Sequence, residues 1–116
     1  MCTKSQLEAI EEGMVNYYRS VYGDSIDTII LYGSYARGDY SDDSDIDITA
    51  IVKGNRVELQ KRLKKMWDFS TEVGLAYDVI VSPTVIPYDE FEQYKEKLPY
   101  YRNIVKEGRK IGWSGI

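Results

Sequence analysis

Gly33-Ser34-Tyr35-Ala36-Arg37-Gly38, followed by Ser44-Asp45-Ile46-Asp47-Ile48, is the stretch on which the reading of this chain turns. The glycine–serine pair comes directly after Thr28-Ile29-Ile30-Leu31-Tyr32, an apolar run that suits a strand buried on both faces. Gly33 turns the chain out, residues 34–38 open a short helix, and Gly38 ends it. Residues 39–44 form a polar loop. From Asp45 to Val52 the pattern alternates, with Ile46, Ile48, Ala50 and Val52 on one face and Asp45, Asp47 and Thr49 on the other. This second strand thus presents two carboxylates on one side, at the end nearest the turn.

Working outward, Ser5 with Glu8 has the form of a capping box. Leu7, Ile10, Met14, Tyr18 and Val21 follow at helical spacing, which predicts a helix over residues 5–22 closed by Gly23-Asp24. Asn55 and Glu58 cap the next helix, whose apolar stripe runs through Leu59, Leu63, Met66 and Trp67 to a C-terminal glycine at Gly74. Residues 76–82 read as a third strand with Asp78 as its lone charge. Pro83 and Pro87 read as a loop, residues 89–98 and 100–107 as helical, and Ile111-Gly112-Trp113 as a short packed tail. The order αβαβαβα predicts a single α/β domain, residues 1–116, around a small sheet.

Composition narrows the chemistry. Among 116 residues, 43% are hydrophobic and 29% charged, the balance of a folded domain rather than a disordered segment. No apolar run is long enough to cross a bilayer, Met1-Cys2-Thr3-Lys4 does not open a signal peptide, and one cysteine makes no internal disulfide; a cytoplasmic location is expected. There is no histidine, which removes Ser-His and Cys-His catalysis and histidine-held zinc. Oxygen ligands remain, so a catalytic metal should be Mg²⁺ or Mn²⁺. The net charge of −4 argues against a general nucleic-acid surface.

Transfer of a nucleoside monophosphate from a nucleoside triphosphate needs such a set. Two ions can clamp the attacking oxygen and the leaving pyrophosphate, and their natural ligands are carboxylates. Asp45 and Asp47 would share those ions, and Asp78 on a neighbouring strand would complete a site and take the acceptor's proton. Gly33 lets the backbone approach a phosphate, with the Ser34 hydroxyl and helix-start N–H groups as donors. Arg37 either reaches the same phosphates or pairs with the acidic loop. Ser44 offers another nucleotide contact, with a turn role as its structural alternative.

These residues resemble a known family. Gly33-Ser34, ten further residues, and Asp45-x-Asp47 match the signature of the polymerase-beta-like nucleotidyltransferase superfamily, and Gly33-Ser34-x-Ala36-Arg37-Gly38 through Ser44-Asp45-x-Asp47 looks like its minimal (MNT) branch. The resemblance implies a nucleotidyltransferase fold with a small mixed sheet flanked by helices. It implies Asp45, Asp47 and Asp78 as ligands of two Mg²⁺ or Mn²⁺ ions, Ser34 at the outer phosphates, and AMP from ATP as the transferred group. It also implies, as for antitoxin-like members, a HEPN-type helical toxin as partner and acceptor. A homo-oligomer is left open.

Two near misses fail. Asp39 stands where a Walker A loop needs lysine, and Ser44 and Ala50 replace the glycine and glutamate of an EF-hand. The competing readings are a non-catalytic module that neutralises a partner by contact, and a transferase acting on an aminoglycoside-type small molecule, for which no second domain is seen. The basic run Lys61 to Lys65 reads as a solvated helix face.

Overall fold

The computed structural model describes residues 3–113; Cys2 lies outside them. Its strands are β1 (Ile26–Tyr32), β2 (Ile46–Val52), β3 (Val81–Pro87) and β4 (Arg109–Trp113), and its helices are α1 (Lys4–Tyr22), α2 (Ser34–Arg37), α3 (Arg56–Tyr77), α4 (Tyr88–Tyr94) and α5 (Pro99–Glu107). The strands form one mixed sheet in the order β3-β2-β1-β4. β1 runs antiparallel to both β2 and β4, and β2 runs parallel to β3 through the α3 crossover.

Alternation along the strands sorts the core into two layers. Ile29, Leu31, Ile48 and Ala50 face α1 and α3, meeting Ile10, Met14, Tyr18, Leu59, Leu63 and Met66. Ile30, Ile51 and Ile86 face the other way, onto Phe91, Tyr101 and Ile104 of α4 and α5. Helices therefore cover both faces, as a sheet containing a parallel pair requires. Tyr18 is wholly buried, and its hydroxyl donates to the Thr84 carbonyl at 2.8 Å, tying α1 to β3. That burial pushes its phenol well above the usual range. Several tyrosines are thus core residues whose polar tips reach backbone carbonyls; the Tyr22 hydroxyl does the same at Leu59, 2.8 Å away. Among the described residues no helix is long and apolar enough to cross a membrane.

The structure corrects four expectations. The α1 cap is Thr3 with Gln6, each satisfying the other's backbone, and not Ser5 with Glu8. Helix α3 runs past Gly74 to Tyr77 and closes at Asp78, whose backbone takes the left-handed conformation (φ 55°, ψ 49°). The third strand accordingly begins at Val81 and contains both prolines read as loop. They are tolerated because β3 is an edge, where a residue without an N–H loses no ladder bond. The expected tail is a fourth strand, whose Arg109 grips Glu11 of α1 at 2.6 Å.

Gly74 is needed for space rather than for a cap. A methyl group there would lie 2.5 Å from the Val79 carbonyl oxygen, where the chain leaves α3 for β3. Gly74→Ala is expected to lower stability by about 1–2 kcal/mol, overpacking outweighing the better helix propensity of alanine. A thermal midpoint equal to wild type would show that this turn yields freely.

Candidate active site

Three elements converge at one end of the sheet. β1 ends at Tyr32, Gly33 carries φ 75° and ψ −158°, and α2 begins at Ser34. The Gly33 carbonyl accepts the N–H groups of Ala36 and Arg37, both at 3.1 Å, so the turn is closed from within. Across from it, Asp45 stands just before β2 and Asp47 is that strand's second residue, paired in register with Tyr32. The contact between turn and strand is intimate: a methyl group on Gly33 would fall 2.4 Å from Asp47 Oδ2. Glycine is therefore required twice, by a backbone conformation that side chains disfavour and by the carboxylate that occupies the space.

Asp47 is half-buried and Asp45 exposed. Burial raises the Asp47 carboxyl above its ordinary value and the nearby Asp45 charge raises it further, while Arg37 works in the opposite direction. Folded Asp47 thus holds its proton more tightly than the unfolded chain does, and its ionisation opposes folding. Its contribution to stability is full below the ordinary value of 3.8, falls as pH rises toward the raised value, and is lost above it. Asp47→Asn is expected to raise the thermal midpoint at pH 7 by about 2–3 °C, the scale on which roughly 0.5 kcal/mol acts in a domain of this size. The gain should vanish near pH 3.5. Equal midpoints at both pH values would refute the argument.

Such a pair suits a hard cation. Mg²⁺ is commonly held by one or two carboxylates plus substrate phosphates, keeping waters for the rest, so Asp45 and Asp47 need no third protein ligand to fit it. The Ser34 hydroxyl, half-buried at the start of α2, has no hydrogen-bond partner among the described residues.

Three expected site residues are placed otherwise. Asp78 is exposed at the end of α3 rather than on a strand; it lines, with Asp42, Asp43 and Asp45, a cavity of about 780 Å³ bordered by Trp67, Leu75 and Ile80. Among the described residues, no three His, Cys, Asp or Glu side chains are gathered so as to hold a metal. The expected gathering of Asp45, Asp47 and Asp78 into a metal-holding set is therefore not found among the described residues, because α3 runs on to Tyr77 and Asp78 becomes its cap. Arg37 follows its structural alternative, with Nε 3.1 Å from Asp39 and an Nη 3.0 Å from Glu107. Ser44 closes the acidic loop, its Oγ accepting the Ser41 N–H at 2.9 Å. The sequence reading missed Tyr32 and Tyr100, whose hydroxyls lie 2.8 Å apart beside Asp47. The Tyr32 phenol is pushed up chiefly by burial, then by that hydrogen bond. Its place after the apolar run, one residue before Gly33, was the available signal.

The family model described as nucleotidyltransferase domain matches residues 15–111. A protein of Methanocaldococcus jannaschii, provisionally named a protein adenylyltransferase, is 37% identical over 104 residues, spanning 90% of this chain and 95% of its own. A second protein of that organism with the same provisional name is 34% identical over 82 residues, 65% of this chain and 81% of its own. Among solved structures, a toxin–antitoxin crystal structure with AMP-PNP matches with a TM-score of 0.56 at 19% identity, over 90% of this chain and 73% of that one. A mutant form of the MntA–HpeT toxin–antitoxin matches with a TM-score of 0.55 at 17% identity, over the same shares. At those identities the likeness is one of fold.

Proposed function

Because this chain belongs to the nucleotidyltransferase domain family, we propose that it transfers AMP from ATP to a hydroxyl of another protein and releases pyrophosphate. The observation that carries the reading is the packing of the Gly33 turn against the Asp47 carboxylate. It sets the start of α2, whose Ser34 hydroxyl has no hydrogen-bond partner among the described residues, directly beside the Asp47 carboxylate.

When bound, divalent ions supply charge neutralisation for the triphosphate and the leaving pyrophosphate. The chain's own residues do the rest. Asp45 and Asp47 would hold those ions, and Gly33, without a side chain, would let a phosphate lie against the backbone. Ser34 donates to the outer phosphates. Arg37, fixed by Asp39 and Glu107, lends positive charge to the site without leaving its ion pairs.

The relatives named as protein adenylyltransferases favour a protein acceptor over a small molecule. The acceptor we assign is the one the sequence resemblance implies, a HEPN-type helical toxin whose tyrosine hydroxyl receives the AMP; solved neighbours of this fold are toxin–antitoxin structures, one with AMP-PNP. A chain that uses ATP and Mg²⁺ would work in the cytoplasm, where both are abundant. The test incubates the chain with ATP labelled on the α-phosphate, Mg²⁺ and a candidate HEPN-type protein. Label covalently attached to that protein is expected. A partner neutralised without label would instead indicate a module acting by contact alone.

A further inference from the structure

Strand register identifies what faces the carboxylates from the other side. Asp47 is paired with Tyr32 on β1 and with Ser82 on β3. Residues in register project to the same face, so position 82 is the nearest that β3 offers to Asp47, about 5 Å away. A third carboxylate completing the pair from the neighbouring strand would stand there. The residue is a half-buried serine whose hydroxyl has no hydrogen-bond partner among the described residues. The next pair along this face is Thr49 and Thr84, both hydroxyls buried, with Thr84 within reach of the Tyr32 hydroxyl. Tyr32 and Tyr100 add two more. The surface beneath Asp47 is therefore built of neutral hydroxyls, and the one at 82 borders the reacting end.

We propose that Ser82 binds the acceptor. Its hydroxyl holds the attacking oxygen beside Asp47, by hydrogen bonding where a carboxylate would act by charge. This rests on the transferase reading and assigns its acceptor subsite. The acceptor oxygen forms a bond to the α-phosphorus, and the bond from that phosphorus to the oxygen bridging the β-phosphate breaks. Pyrophosphate leaves with the electron pair, and the acceptor's proton passes to water, since a serine hydroxyl is too weak a base to keep it. Asp78 takes no part, because it sits at the end of α3.

The test compares Ser82→Val, of nearly the same shape as threonine, with Ser82→Thr, which keeps the hydroxyl. Transfer of label from ATP to the HEPN-type protein is followed with Mg²⁺. For Ser82→Val, kcat/KM for the protein acceptor should fall about tenfold, as for one lost hydrogen bond, with KM for ATP unchanged. Ser82→Thr should stay within about twofold of wild type. Independently of activity, Ser82→Asp should tighten Mn²⁺ binding in the absence of nucleotide by about tenfold, a third charge joining the pair. Asp78→Asn should leave Mn²⁺ binding and transfer unchanged. Undiminished transfer by Ser82→Val, or weakened Mn²⁺ binding by Asp78→Asn, overturns this assignment while the transferase reading stands. A wild-type chain that labels nothing overturns both.

Discussion

Asp45→Asn and Asp47→Asn should each lower AMP transfer by at least about 10³-fold while leaving the protein folded. The magnitude follows from the charge they supply. A triphosphate and its departing pyrophosphate concentrate negative charge that cations held by these carboxylates would neutralise, and removing that neutralisation costs several kcal/mol. Each 1.36 kcal/mol is a factor of ten in rate, so about 4 kcal/mol corresponds to 10³. The fold should survive because neither side chain supports the core: Asp45 is exposed, and Asp47, half-buried, meets a like charge. Circular dichroism should therefore match wild type while label transfer disappears. Activity within tenfold of wild type in either variant would remove that residue from the metal site. Neutralisation of the partner by both variants, with no label transferred by the wild type, would move the whole protein to the contact-only reading.

The second large effect is expected at Gly33. An alanine methyl would sit 2.4 Å from Asp47 Oδ2, far inside contact distance, on a backbone at φ 75°. The methyl and the carboxylate cannot both keep their positions. Either Asp47 swings away, losing its place beside Asp45, or the turn lifts and carries Ser34 with it. Both outcomes misplace the reacting groups by about 1 Å, enough to lose roughly 10²-fold in rate. The strained backbone, in a region essentially only glycine occupies, adds about 1–3 kcal/mol of destabilisation. Gly33→Ala should therefore lose at least 10²-fold in transfer with a lowered but cooperative melt, and ATP affinity should fall with it. Transfer and ATP affinity both equal to wild type would mean that the turn does not bind the triphosphate.

Much of this site was legible in the chain because its signals are local. The apolar run into Gly33 and the alternation from Asp45 to Val52 each span fewer than ten residues, and they form β1 and β2. Asn55 reads as a cap and is one, its side chain accepting the Val57 N–H at 2.9 Å. Where two local signals competed, the reading failed. Thr3-Gln6 and Ser5-Glu8 both have the capping-box form, and only the packing of α1 selects the first. Gly74 looks like a helix stop, yet it is buried where the Val79 carbonyl passes over it. Pro83 reads as a strand breaker except on an edge, and that β3 lies at the edge is a property of the assembled sheet.

By itself the sequence determined the chemistry on offer: no imidazole, one cysteine, a glycine–serine turn, and two aspartates one strand residue apart. Composition and short-range period suffice for that, because each concerns residue types or neighbours within a turn or two. Only the tertiary structure decided which side chains meet across the sheet, because register depends on where distant strands begin. Starting β3 at Val81 in place of residue 76 sends Asp78 to a helix end and brings Ser82 opposite Asp47. The β3 residue in register with Asp47 is thereby a serine and not a carboxylate, and no local pattern in the chain carries that information.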